Sequence, residues 1–89
     1  MSLVVRLPAP LRATVGGQTT IPIDAIDLRS LPNAISERYP DLASRVVRDG
    51  VFGRFVVVFV DGEDARYLPA ETTLASARVI EILPAVSGG

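Results

Sequence analysis

Asp27-Leu28-Arg29-Ser30-Leu31-Pro32-Asn33-Ala34-Ile35-Ser36-Glu37-Arg38-Tyr39-Pro40 is where this chain changes period. Leu28, Leu31, Ile35 and Tyr39 recur at spacings of three and four, the stripe of an amphipathic helix. The start of that helix has two readings. Asp27 as N-cap leaves Pro32 beyond the first turn, where proline loses a hydrogen bond and clashes backward. Ser30 as cap places Pro32 inside the first turn, where proline is tolerated. Pro40 ends the helix at or before Tyr39, because the residue before proline is pushed out of the helical region.

On either side of this stretch the period is two. Leu3-Val4-Val5-Arg6-Leu7 reads as a strand with Leu3, Val5 and Leu7 toward the core, ended by Pro8 and Pro10. Leu11 to Val15 reads as a loop closed by a turn at Gly16-Gly17. Gln18 to Ile23 alternates again, and Pro22 argues that one edge of this strand is unpaired. Beyond the helix, Leu42 to Val47 reads as one or two helical turns and Arg48-Asp49-Gly50 as a turn. Arg54 to Val60 is the strongest strand, and Asp61-Gly62 is a hairpin signal, with Glu63 and Asp64 extending the loop. Ala65 to Leu68 is then a short return strand. Leu74 anchors the following loop, and Val79 to Leu83 is the last strand, with Ile80 and Ile82 inward and Glu81 outward. Strands with one helix between them predict an α+β fold, a mixed four- to five-stranded sheet packed on one main helix. If Val56, Val58 and Val60 face the helix, then Phe55, Val57 and Phe59 form an apolar outer face. Such a face marks a partner surface, unless the Leu42 to Val47 segment or a second copy covers it. Arg6 and Arg66 stand at its rim or on the solvated surface.

Composition narrows the function. The chain has 89 residues, a net charge of −1, and neither cysteine nor histidine. That removes thiol nucleophiles, the usual zinc sites and the commonest general base. With no basic excess, nucleic acid is not an expected partner. The longest apolar run, Phe55 to Val60, is six residues, against about 20 for a membrane span. The opening residues lack the pattern of a signal peptide, so a cytoplasmic protein is expected. Glu63 and Asp64 are neighbours that point apart, and Asp24 and Asp27 read as helix-start residues; none suggests an acid–base pair or a metal site. All nine cations are arginines, so the chain has no lysine side chain that an activated carboxylate of its own could acylate.

The remaining candidate for chemistry is the end of the sequence, Pro84-Ala85-Val86-Ser87-Gly88-Gly89. Terminal residues usually fray, and a Gly-Gly pair alone says little. Here it comes directly after a strand, with Pro84 stiffening the exit. Six extended residues reach about 20 Å. Gly88 can thread a channel too narrow for a side chain, and Gly89 leaves its carboxyl carbon unhindered. The division expected is a body over residues 1–84 and a flexible tail over 85–89. Gly89 carries the reaction, and Pro84, Ala85, Val86 and Ser87 contact the partner.

With that order and that tail, the chain resembles the ubiquitin-like sulfur carriers of the MoaD/ThiS family over nearly its whole length. The resemblance is carried by Leu3-Val4-Val5-Arg6-Leu7-Pro8, Leu11-Arg12, Gly16-Gly17-Gln18, Leu28, Tyr39-Pro40, Val58-Phe59-Val60-Asp61-Gly62-Glu63-Asp64 and Ile82 to Gly89. The closing stretch looks most like the cysteine-biosynthesis branch. Pro32 and Asp61 depart from the family pattern. The resemblance implies a β-grasp fold and a carrier that is not itself an enzyme. No cofactor is bound; an E1-like adenylyltransferase consumes ATP to activate Gly89, and a sulfur donor converts the acyl adenylate to a thiocarboxylate. The implied acceptor is a PLP-dependent cysteine synthase, with a metallopeptidase releasing the product. The alternatives are molybdopterin synthase, in which the carrier is the small subunit beside a large one, thiamin formation, and secondary-metabolite sulfur transfer. The same tail also suits a protein modifier conjugated to lysines, and a plain interaction domain would end the same way by coincidence.

Overall fold

The structure is a computed structural model and describes residues 3–77 and 79–85. β1 (Leu3–Arg6) opens the chain. Leu3, Val5 and Leu7 are buried, while Val4 and Arg6 face out. Pro8 and Pro10 do end the strand, but the segment after them is helical and not a loop. A single helical turn, α1 (Ala9–Arg12), uses Pro10 in its first turn and runs into a 3-10 turn over Ala13–Val15. Proline blocks a strand ladder and a helix interior, yet suits a helix start. β2 (Thr20–Ile23) returns antiparallel to β1, pairing Leu3 with Ile23 and Arg6 with Thr20. It lies at the sheet edge, where the missing N–H of Pro22 is harmless.

The Ser30 reading describes the helix start: α2 spans Leu31–Arg38, with Pro32 in its first turn. Ser30 stands at the cap position without capping through its side chain. It closes a turn with Asp27 instead, where its N–H donates to Asp27 Oδ1 at 2.9 Å and its hydroxyl to the Asp27 carbonyl at 3.1 Å. Tyr39 leaves the helical region at φ −131°, ψ 71°, as a residue before proline must. Pro40 then starts a second helix, α3 (Pro40–Val46). The helical turns expected over Leu42 to Val47 are this second helix, which starts two residues earlier. Leu31, Pro32 and Ile35 of α2, and Leu42, Ala43 and Val46 of α3, are buried. Because α3 contributes to the common core, it does not cover the outer sheet face.

Two hairpins with two-residue loops come next. β3 (Val47–Arg48) and β4 (Val51–Phe52) pair across Asp49-Gly50, where φ is 54° and 80°. β5 (Val56–Val60) and β6 (Glu63–Asp64) pair across Asp61-Gly62, at 48° and 88°. Both loops have positive φ at both residues, the primed turn whose twist matches the flanking strands. Two expectations are corrected here. Glu63 and Asp64 are the return strand, not loop, and Ala65–Tyr67 is a 3-10 turn, not a strand. β5 also starts at Val56, with Arg54 and Phe55 in the preceding turn.

β7 (Val79–Pro84) closes the fold between β1 and β5, parallel to β1 and antiparallel to β5. The sheet order is β2-β1-β7-β5-β6. Ile80 and Ile82 on β7, Val58 and Val60 on β5, Leu74, and the helices' apolar faces form a single core. Among the described residues no helix is long and apolar enough to cross a membrane.

Candidate functional site

The site begins where β7 leaves the sheet. Asp61 holds the start of that strand. Its N–H donates to the Val79 carbonyl, and its carboxylate Oδ1 accepts from the Val79 N–H, each at 2.9 Å. The ladder with β5 then runs from Val60–Ile80 to Val56–Pro84. It reaches one residue further, because the Ala85 N–H donates to the Phe55 carbonyl at 2.8 Å. In an antiparallel ladder hydrogen-bonded pairs alternate with unbonded ones. Ala85 being bonded to Phe55, Pro84 falls in an unbonded pair and its nitrogen points away from β5. On that side the pairing with β1 has already stopped at Arg6–Glu81. Pro84 therefore sits in the strand without breaking a bond, and the sheet directs the chain outward at Ala85.

Of the expected site residues, Val57, Phe59, Pro84 and Ala85 gather along β5 and β7. Val86, Ser87, Gly88 and Gly89 lie outside the described residues. Val57 and Phe59 are half-buried on the face turned from the helices, as alternation requires. Phe55 precedes the strand, accepts the Ala85 N–H and is 72 % exposed, at the root of the tail. Leu83 pairs with Val57, and Leu83 and Val4 are the large exposed apolar side chains beside them. The face is not uniformly apolar. Arg6 and Glu81, partners in register, form an ion pair at 3.5 Å across its middle row, next to Phe59.

Arg66 takes a different post. Its guanidinium and backbone N–H both bond the Asp64 carboxylate, at 2.7 and 2.9 Å. Those bonds, the side-chain one foremost, hold the Asp64 carboxyl below its ordinary 3.8 and push the Arg66 guanidinium higher. Glu63 and Asp64 do not converge as an acid–base pair. Among the described residues no group of three or more carboxylates is placed to hold a metal ion. The described part of the site directs β7 outward at Ala85. The clamp by Asp61 was not foreseen from the sequence, where Asp-Gly signals a turn and says nothing of what its carboxylate grips.

A mixed sheet grasping helices, with the last strand at its centre, defines a ubiquitin-like β-grasp protein. The chain matches the ThiS family over residues 5–89 and belongs to it: it is a sulfur carrier and not a catalyst. It is 30 % identical to the sulfur carrier protein CysO of Mycobacterium tuberculosis over 93 residues, all of both chains. The crystal structure of that CysO superposes with a TM-score of 0.79 at 28 % identity, covering 94 % of this chain and 99 % of that one. CysO in the Amycolatopsis orientalis BexX/CysO complex superposes equally, with a TM-score of 0.79 at 27 % identity over 98 % and 99 %. SAMP1 of Haloferax volcanii gives 0.76 at 27 % identity over the whole of both chains.

Proposed function

We propose that Gly89 is the residue on which sulfur is carried, and that cysteine biosynthesis is the pathway served. The reaction needs no base from this chain. The carboxylate of Gly89 attacks the α-phosphorus of ATP in an E1-like enzyme and pyrophosphate leaves. A sulfide sulfur then attacks the carbonyl carbon and AMP leaves, giving the thiocarboxylate. A glycine at the last position keeps the carbonyl open to both attacks, and Gly88 lets the strand enter a narrow channel. Pro84, Ala85, Val86 and Ser87 make the approach, and the outer face around Val57, Phe59 and Leu83, with Phe55 at the tail root, docks the enzyme. The acceptor on this reading is a PLP-dependent synthase, with a metallopeptidase releasing the cysteine adduct, all in the cytoplasm. The single observation that carries the reading is full-length similarity to CysO joined to a closing Ile-Leu-Pro-Ala-Val-Ser-Gly-Gly.

The test is intact mass after incubation with ATP, a cognate activating enzyme and a sulfur source. Exchange of oxygen for sulfur adds about 16 Da, and removal of Gly89 should abolish it without lowering the melting temperature. An unchanged mass across several cognate activating enzymes sinks the reading. Likeness to SAMP1, a small archaeal modifier protein by name, favours one alternative, conjugation to lysines of other proteins. Adducts of this chain in a lysate, joined through Gly89 to lysine, would identify that use.

A further inference from the structure

β5 is fully paired on one side only. β7 runs along it from Val56 to Val60, but β6 pairs only with Phe59 and Val60. The chain turns off at Asp64, where the carboxylate caps the 3-10 turn by accepting from Arg66 N–H. On that side no strand among the described residues pairs with Val56–Val58; the Val56 N–H donates to the Gly53 carbonyl at 3.3 Å. A groove of about 650 Å³ lies along that stretch, lined by apolar residues that include Leu28, Phe52, Ala65 and Leu68. Val56, Val57 and Val58 all border it. Side chains of successive strand residues point to opposite faces, so all three border one groove only where it reaches the strand's edge.

The charges lining the groove have one sign. Arg29, Arg54 and Arg66 line it and no carboxylate does. Arg29 and Arg66 hold Glu71 and Asp64 from outside the lining. Arg54 has no ion-pair partner among the described residues. We propose that this groove is a docking site for an extended peptide segment of a partner protein, alternating apolar and acidic residues. The segment adds as a strand along Val56–Val58, its apolar side chains on Phe52 and Leu68 and its carboxylates toward Arg54 and the flanking arginines. A second copy of this chain fits poorly, because pairing two such edges brings arginine rims together. Ala85 also lines the groove, so an occupant sits beside the tail root, yet its binding uses none of the tail's chemistry.

The experiment titrates the isotope-labelled full chain with a blocked peptide of alternating valine and glutamate, with a valine–lysine peptide as control. Amide shifts should cluster on Val56–Val58, Phe52 and Leu68, and the glutamate peptide should bind about fivefold tighter or more, a margin that salt erodes. Arg54→Glu, an exposed change, should remove or reverse that preference without altering the melting temperature. Equal affinity for both peptides overturns the proposal. So do shifts confined to Val4 and Leu83 on the other face, or no saturable binding up to about millimolar peptide. Shifts at Val56–Val58 that appear on concentrating the chain alone would assign the edge to self-association and overturn it as well.

Discussion

Asp61 has three tasks at one position: a positive φ of 48°, an N–H to the Val79 carbonyl, and a carboxylate on the Val79 N–H. Asparagine tolerates left-handed backbone and offers an amide oxygen at the same place. Asp61→Asn is therefore expected to cost less than Asp61→Ala, which loses both the tolerance and the bond and should cost about 1–2 kcal/mol. Urea unfolding of the two variants checks this; equal stabilities would remove Asp61 as the clamp on β7. Two other aspartates contribute to the acid limit. Ser30, through its side chain first and its N–H second, holds the Asp27 carboxyl below 3.8, and Arg66 does the same for Asp64. A folded value below the unfolded one stabilises above the unfolded value and is lost as pH falls through the folded value. Thermal melts should therefore be insensitive to these two groups from neutral pH down to the ordinary carboxyl value of 3.8, and should fall below it. Asp27→Asn and Asp64→Asn should each flatten that acid limb, and an unchanged limb in both would contradict the assignment.

The two helices and the long strands rest on burial that alternation or a helical stripe makes visible. Ile35 is fully buried between helix and sheet, so Ile35→Ala should cost about 2–5 kcal/mol and lower the melting temperature by at least about 10 °C. A loss under about 1 kcal/mol would mean that the core closes over the gap. Legibility in the sequence tracks the length of each element. Leu3, Val5, Ile80 and Ile82 announced their faces because a strand of four to six residues repeats the alternation enough to be seen. β3 and β4 are two residues each, too short for any period, and Asp49-Gly50 was readable only as a turn. At Asp61-Gly62 the turn was readable but its length was not. Both residues adopt positive φ, so the return strand begins at Glu63 and Ala65–Tyr67 is released to a 3-10 turn. Leu11 to Val15 hid a helix because Pro8 and Pro10 fit a strand end and a helix start equally well. At the site, Val57 and Phe59 were legible by alternation. The Arg6–Glu81 pair was not, because it joins residues 75 apart and depends on the parallel register of β1 and β7. The open edge at Val56–Val58 depends on where β6 leaves, which is set by Asp64 and Arg66.

At the scale of the whole molecule the proposed function divides labour between a sheet that fixes β7 and an outer face that docks the activating enzyme. The inner face of the sheet belongs to the core, so substitutions there change stability and binding together. The outer face separates them. Leu83 is 39 % exposed, pairs with Val57 and lies two residues before Ala85. Its side chain points away from the core that holds Ile80 and Ile82. Leu83→Ser removes apolar area from that face without opening a cavity, so the melting temperature should stay within about 3 °C. A central apolar anchor of an interface is worth upward of 1.4 kcal/mol, about tenfold. The rate of thiocarboxylate formation at low carrier concentration should therefore fall about tenfold or more, and recover as carrier is raised, because docking is weakened and Gly89 is untouched. A matching loss in Leu83→Ser and wild type on adding a competing tail peptide would trace the contact to the tail alone. An unchanged rate at every concentration would mean that the activating enzyme approaches by another surface, and the groove beside Val56–Val58 would be the next to test.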